Sequence, residues 1–305
     1  MKEHLMHYQT ELNAIINSMY GNLGGDPKNP IWFCAMERAN NLYSVYNGKN
    51  IQIFIDDLKD KTFGTVPKGI NKEQANDFLY PGRPGGSSFF RSIFSILGAL
   101  ITKPNTKKEM LSAKDALNKY EFMQANRLGL LFNTSPIGVP NRNSAWNEWR
   151  STILIVEKTN QQISMRDLTG FDRYIDFFSH CARKRAPVFQ AFQDKYQPAV
   201  IYCGGLSSCG DAYKSLWGNS KTDWASRNLY EITRKGKKQN VTAEYAWIGQ
   251  TLVMIGPFFC NRTALNSYDK YLSVANAILS LGEQRFHNKV DEWLRLEDFL
   301  PNKQK

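Results

Sequence analysis

The stretch Pro-Ile-Trp-Phe-Cys-Ala-Met-Glu-Arg-Ala-Asn-Asn, from Pro30 to Asn41, decides the fold of this chain. Its first part, residues 31–34, is a short apolar run that follows a proline and ends in small and polar residues. Such a run predicts a buried strand of a parallel sheet, because neither face of that strand needs polar side chains. Glu37 and Arg38 come at its carboxyl end, where open α/β sheets bind ligands. Glu37 is therefore a candidate acid or base; the alternative is an exposed ion pair or a helix-starting turn.

Three further apolar runs have the same character and predict the remaining strands of one sheet. They are residues 127–133, 197–205 and 251–255. Helical periodicity between and around them predicts helices over 3–19, from Ser87 or Ser88 to about 100, 107–123, 171–196, 211–217 and 263–281. Residues 51–55 fit a strand or a helix equally well. The pattern predicts an α/β fold: a three-layer sandwich with a central, mainly parallel four-stranded sheet flanked by helices.

A single domain over residues 1–305 is expected, with a helical N-terminal element (1–20) and a helical C-terminal extension (282–300). Residues 229–248 predict a hairpin with a basic tip, Arg-Lys-Gly-Lys-Lys at 234–238. Such a tip is either a solvated surface or a contact with phosphate groups. Residues 152–157 predict a short strand or sheet edge.

The charge balance is strongly basic, with 39 Lys and Arg against 28 Asp and Glu, a formal net charge of +11. This excess favours a polyanionic partner, nucleic acid first, although solubility alone accounts for part of it. Five scattered cysteines without a Cys-x-x-Cys pair indicate a reduced, cytoplasmic protein. The four histidines have no metal-ligand spacing, so no metal and no cofactor are expected. The start of the chain lacks the apolar segment of a signal peptide, and no apolar run has the length of a membrane span.

Two loops carry candidate binding residues. Asn133 ends the second predicted strand, and its amide can present both a donor and an acceptor to a planar ligand. The alternative is an Asx-turn residue that stops the strand. Residues 79–88 are glycine-rich without matching a phosphate-binding fingerprint. Arg83 and Arg91 in or beside this loop could contact DNA phosphates, and a plain connection is the alternative.

The order of these strand-end loops resembles the uracil-DNA glycosylase superfamily. Residues 35–39, Ala-Met-Glu-Arg-Ala, are similar to the motif that carries its water-activating residue. Residues 130–133, Leu-Leu-Phe-Asn, are similar to its base-reading strand, and residues 256–258, Gly-Pro-Phe, take the place of its last, DNA-pressing loop. The resemblance spans roughly residues 30–281, and each of its motifs is short.

The resemblance implies a DNA glycosylase that flips a base out of DNA and leaves an abasic site. No lysine stands out as a Schiff-base former, so a monofunctional reaction is expected. It implies that Glu37 activates the water and Asn133 reads the base, with Met36 and Arg38 beside them. Tyr80 would stack on the base, and Phe258 or Phe259 would wedge into the DNA unless they are core residues. The residues implied to hold phosphates are Arg83, Ser207 and Arg262.

Three departures from the family pattern bear on the substrate. Glu37 replaces Asp or Asn, Arg38 replaces a proline, and Gly256 replaces the histidine that stabilises the departing uracil. They point to a different or bulkier base, such as a modified cytosine of foreign DNA in antiviral defence, with uracil kept as an option. Two alternatives stay open: a catalytically inactive DNA-binding module of the same fold, and a hydrolase of nucleosides or nucleotides. A scaffolding role has no repeat or coiled segment to support it.

Overall fold

The structure is a computed structural model that describes residues 2–18, 26–35, 42–59, 88–122, 127–137, 148–259 and 265–301. The strands in these ranges are β1 (Ile31–Ala35), β2 (Leu130–Asn133), β3 (Ile153–Val156), β4 (Gln161–Ser164), β5 (Val200–Gly204), β6 (Ala225–Arg234), β7 (Lys237–Ile248) and β8 (Thr251–Gly256). The helices are α1 (Lys2–Ile16), α2 (Leu42–Tyr46), α3 (Ile51–Lys59), α4 (Ser88–Thr102), α5 (Ala113–Tyr120), α6 (Met165–Thr169), α7 (Tyr174–Tyr196), α8 (Leu206–Trp217), α9 (Tyr268–Phe286) and α10 (Val290–Leu294). Short 3₁₀ turns cover Lys107–Glu109, His287–Lys289 and Leu296–Phe299.

The central sheet has the strand order β2-β1-β5-β8-β7-β6. Its first four strands are parallel, as the sequence predicts, and end on one side of the sheet. That side, where β1, β2, β5 and β8 end, is called the carboxyl edge below. β7 then pairs antiparallel with β8, and β6 antiparallel with β7.

The predicted four-stranded sheet is therefore wrong in its extent: the sheet is mixed and has six strands. The basic hairpin forms its last two strands, because only two residues, Gly249 and Gln250, separate β7 from β8. A connection that short makes the two strands antiparallel neighbours. Gly249 has φ +60°, in the left-handed region that such a turn requires.

Helices cover both faces of the sheet, so the α/β class is correct. Side chains of the parallel strands alternate between two apolar clusters. Phe33 and Tyr202 point to the face packed by α4, α5 and α9. Trp32 and Cys203 point to the opposite face, which is packed by α1, α3, α7 and α8. Burial on both faces explains why these strands are apolar throughout.

Several helix boundaries differ from the predictions. The helix expected over 107–123 is a 3₁₀ turn followed by α5, which begins only after Ser112, whose hydroxyl accepts from the Asp115 amide at 3.1 Å. α8 starts directly after Gly205, five residues earlier than expected. Residues 51–59 form a helix, and β3 pairs with β4 in a separate two-stranded sheet that the sequence only half reveals.

None of the helices formed by the described residues combines the length and apolar character that a membrane crossing requires. Four cysteines fall in the described ranges, Cys34, Cys181, Cys203 and Cys209, and all four are buried and form no disulfide there.

Candidate functional site

The carboxyl edge brings the ends of the four parallel strands together. Ala35, the last residue of β1, lies opposite Asn133, the last residue of β2. The Thr134 amide and hydroxyl both donate to the Ala35 carbonyl, at 3.0 and 3.1 Å. The Gly205 amide donates to the Gly256 carbonyl at 2.9 Å. These bonds join β2 to β1 and β5 to β8, and β1 pairs with β5 between them, so the four strand ends form one rim.

Asn133 is completely buried at this rim. Its carbonyl accepts a hydrogen bond of 3.0 Å from Nη1 of Arg185, which is also completely buried. The same guanidinium donates from Nε to the Ile16 carbonyl at 3.1 Å and from Nη2 to the Ile15 carbonyl at 3.3 Å. One cation therefore ties the end of β2 to the last carbonyls of α1.

Burial lowers the pKa of Arg185 to about 10, because a low-dielectric surrounding disfavours the charged form. That value lies far enough above neutrality for the guanidinium to stay protonated. A fixed positive charge thus sits behind the Asn133 backbone, inside the protein.

Sequence reasoning missed this role of Arg185, since it stands in the basic run Arg183-Lys184-Arg185. Its helical spacing was the available signal. Arg185 follows Cys181 by four residues and precedes Phe189 by four, and both are buried on the core face of α7. The guanidinium also lies over the Phe189 ring, 5.9 Å from its centroid.

Gly256 ends β8 under the Tyr202 side chain. A Cβ added at Gly256 would overlap the Tyr202 hydroxyl, and this hydroxyl donates to the Pro257 carbonyl at 3.0 Å. Burial raises the pKa of Tyr202, so the hydroxyl stays protonated and serves as a donor. The packing of β5 against β8 therefore requires glycine at this position.

The two predicted wedge residues differ in exposure. Phe259 is completely buried, and its ring lies 5.9 Å from that of Phe33 and 5.3 Å from that of Tyr202, centroid to centroid. It also fills the space that a side chain at Gly204 would need. Phe259 packs as a core residue, whereas Phe258 is partly exposed at the rim. Whether either contacts DNA remains a prediction.

The loop after β8 is held by α4. The Ser92 hydroxyl lies 2.5 Å from the Phe259 carbonyl and 3.1 Å from the Leu265 carbonyl. Ser207 lies in the first turn of α8, which follows Gly205, a residue with φ +124°, at the carboxyl edge. Both elements are thus fixed at the same rim as Asn133.

A cavity of about 190 Å³ opens between the start of α4 and the N-termini of α5 and α9. Arg91 and Lys114 supply two cations to its wall; the other lining residues are Ser112, Ala113, Asn266, Ser267, Tyr268 and Tyr271. The cavity is smaller than a typical pocket for an organic ligand, and Asn133 is not part of it. The site at the strand ends and this basic cavity are separate features.

The remaining predicted site residues, Met36, Glu37, Arg38, Tyr80, Arg83 and Arg262, lie outside the described residues. Within the described ranges, no group of three or more His, Cys, Asp or Glu side chains is placed to hold a metal ion.

A scan against protein-family models and a search of curated proteins found no match to this chain.

Proposed function

We propose that this chain is a DNA N-glycosylase. It would hydrolyse the N-glycosidic bond of a damaged or modified base and leave an abasic site, without a cofactor. The observation that supports this most directly is the pairing of Ala35 with Asn133 at the ends of adjacent parallel strands. Because Glu37 follows Ala35 by two residues, the proposal puts a carboxylate and a base-reading amide side by side, at the edge where open α/β sheets bind ligands.

In the proposed reaction, Glu37 takes a proton from a water molecule as the water oxygen attacks C1′ of the sugar. The bond from C1′ to the base nitrogen breaks, and its electron pair leaves with the base, which then takes up a proton. The carboxylate charge also favours the positively charged sugar of the transition state. The Asn133 amide group would hydrogen-bond the edge of the base.

The burial of Asn133 fits a base that has left the DNA stack. A completely buried side chain cannot contact a base inside a duplex, so the nucleotide must flip out, at a cost of a few kcal/mol. Phe258, partly exposed at the same rim, is then the better candidate of the two phenylalanines for the gap left in the stack.

Gly256 stands where the family that this chain resembles has a histidine, which stabilises the departing base. The proposal assigns part of that electrostatic work to Arg185, whose buried charge lies 3.0 Å from the Asn133 carbonyl. A cation at this depth is weakly screened, so it favours negative charge on a base bound at Asn133. Arg185 acts here as a positioning residue, since it touches Asn133 and not the reacting atoms.

The proposed substrate is a modified cytosine of foreign DNA, with uracil as the second candidate and antiviral defence as the role that would follow. The net charge of +11 supports a DNA substrate. In this proposal, DNA phosphates bind at the basic cavity, which Arg91 and Lys114 line. A cytoplasmic location belongs to the same proposal.

An abasic-site assay tests the proposal. Labelled duplexes and single strands carrying uracil, hypoxanthine, 5-hydroxymethylcytosine or its glucosylated form are incubated with the protein and cleaved with alkali. We expect cutting at one base, reduced about 10²- to 10⁴-fold in Glu37→Gln, the usual contribution of a general base. The matched control Glu292→Gln changes an exposed carboxylate of α10 and should leave the rate unchanged.

Two other outcomes would replace the proposal. Salt-dependent DNA binding without cutting of any base would make the chain a DNA-binding module of the same fold. Cleavage of free nucleosides or nucleotides with none in DNA would make it a small-molecule N-glycoside hydrolase. Asn133→Asp, which keeps the size of the side chain and exchanges its donor for an acceptor, should change the preferred base if Asn133 reads it.

A further inference from the structure

The hairpin β6–β7 extends far beyond the carboxyl edge. Glu244 of β7 lies opposite Ile255, one residue before the end of β8. β7 runs antiparallel to β8, so its earlier residues lie beyond the end of the parallel strands. The turn residue Gly236 comes seven residues before Ala243, the residue of β7 that is level with the end of β8. At a rise of about 3.3 Å per residue, the tip lies up to about 23 Å beyond the edge. The projecting part of this hairpin, residues 227–243, is called the arm.

The tip of the arm is basic and exposed to solvent. All eight residues from 233 to 240 are exposed. Four of them are cations, Arg234, Lys235, Lys237 and Lys238, and none is acidic. The other four are Thr, Gly, Gln and Asn, three of which carry hydrogen-bonding side chains. The nearest carboxylate, Glu231, pairs with Lys238 at 2.9 Å, and both are well exposed, so this pair is weak.

Two of the cations oppose each other directly. Arg234 is the cross-strand partner of Lys237. Like charges in that arrangement destabilise a hairpin unless an anion lies near them. Lys235, between them in the turn, has φ +50° and Gly236 has φ +73°. Positive φ angles at both positions are those of a two-residue type I′ hairpin turn, whose twist matches that of the strands. The turn therefore holds the three cations in a defined arrangement.

The base of the arm is firmly attached. Lys214 of α8 pairs with Glu244 at 2.9 Å on one face. On the other face, Arg227 donates to the Ser280 hydroxyl at 3.0 Å, and Lys270 lies over the Tyr230 ring, 5.3 Å from its centroid. Contacts with helices on both faces hold the arm at a fixed direction relative to the rim.

We infer that the arm binds the phosphate backbone of duplex DNA next to the base being excised. That the polyanion is DNA rests on the proposed function. The direction, length and charge of the arm are independent of it. Its reach of about 23 Å corresponds to about seven base pairs at 3.4 Å each, and the major groove of B-DNA admits a two-stranded ribbon. The arm thus holds the duplex while the rim receives the flipped nucleotide.

The test neutralises the arm without disturbing its turn. The variant Arg234→Gln/Lys235→Asn/Lys237→Gln keeps Gly236 and the Lys238–Glu231 pair, and asparagine tolerates the left-handed backbone of position 235. The matched control is Lys195→Gln/Lys221→Gln/Lys289→Gln, three exposed lysines in the last turn of α7 or after the ends of α8 and α9, away from the carboxyl edge. Both variants lower the formal net charge by three, from +11 to +8.

Binding to an unmodified DNA duplex is measured over a series of salt concentrations. Each phosphate contact contributes about 0.9 to the slope of log K against log salt, so the arm variant should lose up to about 2.7 of slope. At about 0.15 M salt this corresponds to about a hundred-fold weaker binding. The control should stay close to the wild type.

Equal binding by the arm variant and the control overturns the inference, as does weakening toward duplex RNA alone. Failure of the arm inference can be distinguished from failure of the proposed function. DNA binding that depends on the arm, with no base excised, supports the arm and refutes the glycosylase. Excision that continues with unchanged DNA binding in the arm variant supports the glycosylase and refutes the arm.

Discussion

Arg185 offers the sharpest test of how this structure is held together. In Arg185→Met the carbonyls of Ile16 and Asn133 each lose a hydrogen bond from a charged donor, at 3.1 and 3.0 Å. Such bonds contribute about 1.5–3 kcal/mol each, which gives about 3–6 kcal/mol for the two. The Ile15 carbonyl adds little, because it also accepts from the Ser18 hydroxyl at 2.8 Å.

Relief of the desolvation that burial imposes on the guanidinium offsets part of this loss, so we expect a net decrease of about 3 kcal/mol in the free energy of unfolding. Urea titration at low temperature, followed by far-UV circular dichroism, measures it. Arg183→Met, an exposed arginine on the same helix, should change stability by no more than about 0.5 kcal/mol.

A loss below about 1 kcal/mol in Arg185→Met would refute the view that this cation is a structural link. Arg185→Lys separates charge from geometry: a lysine keeps the charge but cannot reach three carbonyls at once, so stability should fall between the wild type and Arg185→Met. Its excision activity, measured where the protein is folded, should also fall if the guanidinium positions Asn133.

Three further substitutions have defined outcomes. Gly256→Ala should cost about 1–3 kcal/mol by overpacking against Tyr202, and adding Tyr202→Phe should restore part of it in urea titrations; an additive double mutant contradicts this. Ser92→Ala should cost about 1–2 kcal/mol and speed proteolysis of the loop at Phe259, which unchanged cleavage would contradict. Burial lowers the pKa of His180 below its value in the unfolded chain, and the nearby cations Lys184 and Arg183 lower it further. The unfolded state therefore binds the proton more tightly, so stability falls as pH drops below about 6.5. His180→Gln should reduce that fall between about pH 7 and 5; equal pH profiles would exclude it.

The four parallel strands were predictable because burial on both faces leaves a strong signal. The runs at Ile31–Ala35 and Val200–Gly204 are apolar at every position, and no surface element of that length has this composition. Asn133 was also recognisable, as a polar residue at the end of such a run. The strands and the position of Asn133 at the end of β2 depend on local sequence alone, which explains why these two predictions are confirmed.

The size of the sheet was harder to predict. β7 is half-buried, with exposed and buried positions mixed. The sequence pattern of such a strand is the same whether the strand belongs to the central sheet or to a separate hairpin. The two-residue link at Gly249 and Gln250 shows that β7 must pair with β8. This signal lies in the length of the connection and not in the composition of the strands. The start of α8 was obscured for a similar reason, since Leu-Ser-Ser-Cys-Gly at 206–210 has the composition of a loop.

The link between Arg185 and the site was beyond local sequence. A guanidinium in a basic run resembles its exposed neighbours, and only the packing of α1 and β2 against α7 shows that carbonyls replace water around it. Contacts across more than fifty residues leave no trace in a window of sequence. The burial of Phe259 was unpredictable for the same reason, because it depends on contacts with the distant residues Phe33 and Tyr202.

The place of β1 in the sheet has a consequence for biosynthesis. β1 is complete by residue 35, yet its two neighbours, β2 and β5, end at residues 133 and 204. At about 5–20 residues per second, a ribosome needs roughly ten to thirty seconds to supply both partners. During that interval an apolar strand with unpaired edges waits in the nascent chain, the kind of segment that chaperones bind. Pairings this distant also slow refolding, so the intact chain should recover from denaturant far more slowly than a helical protein of similar size.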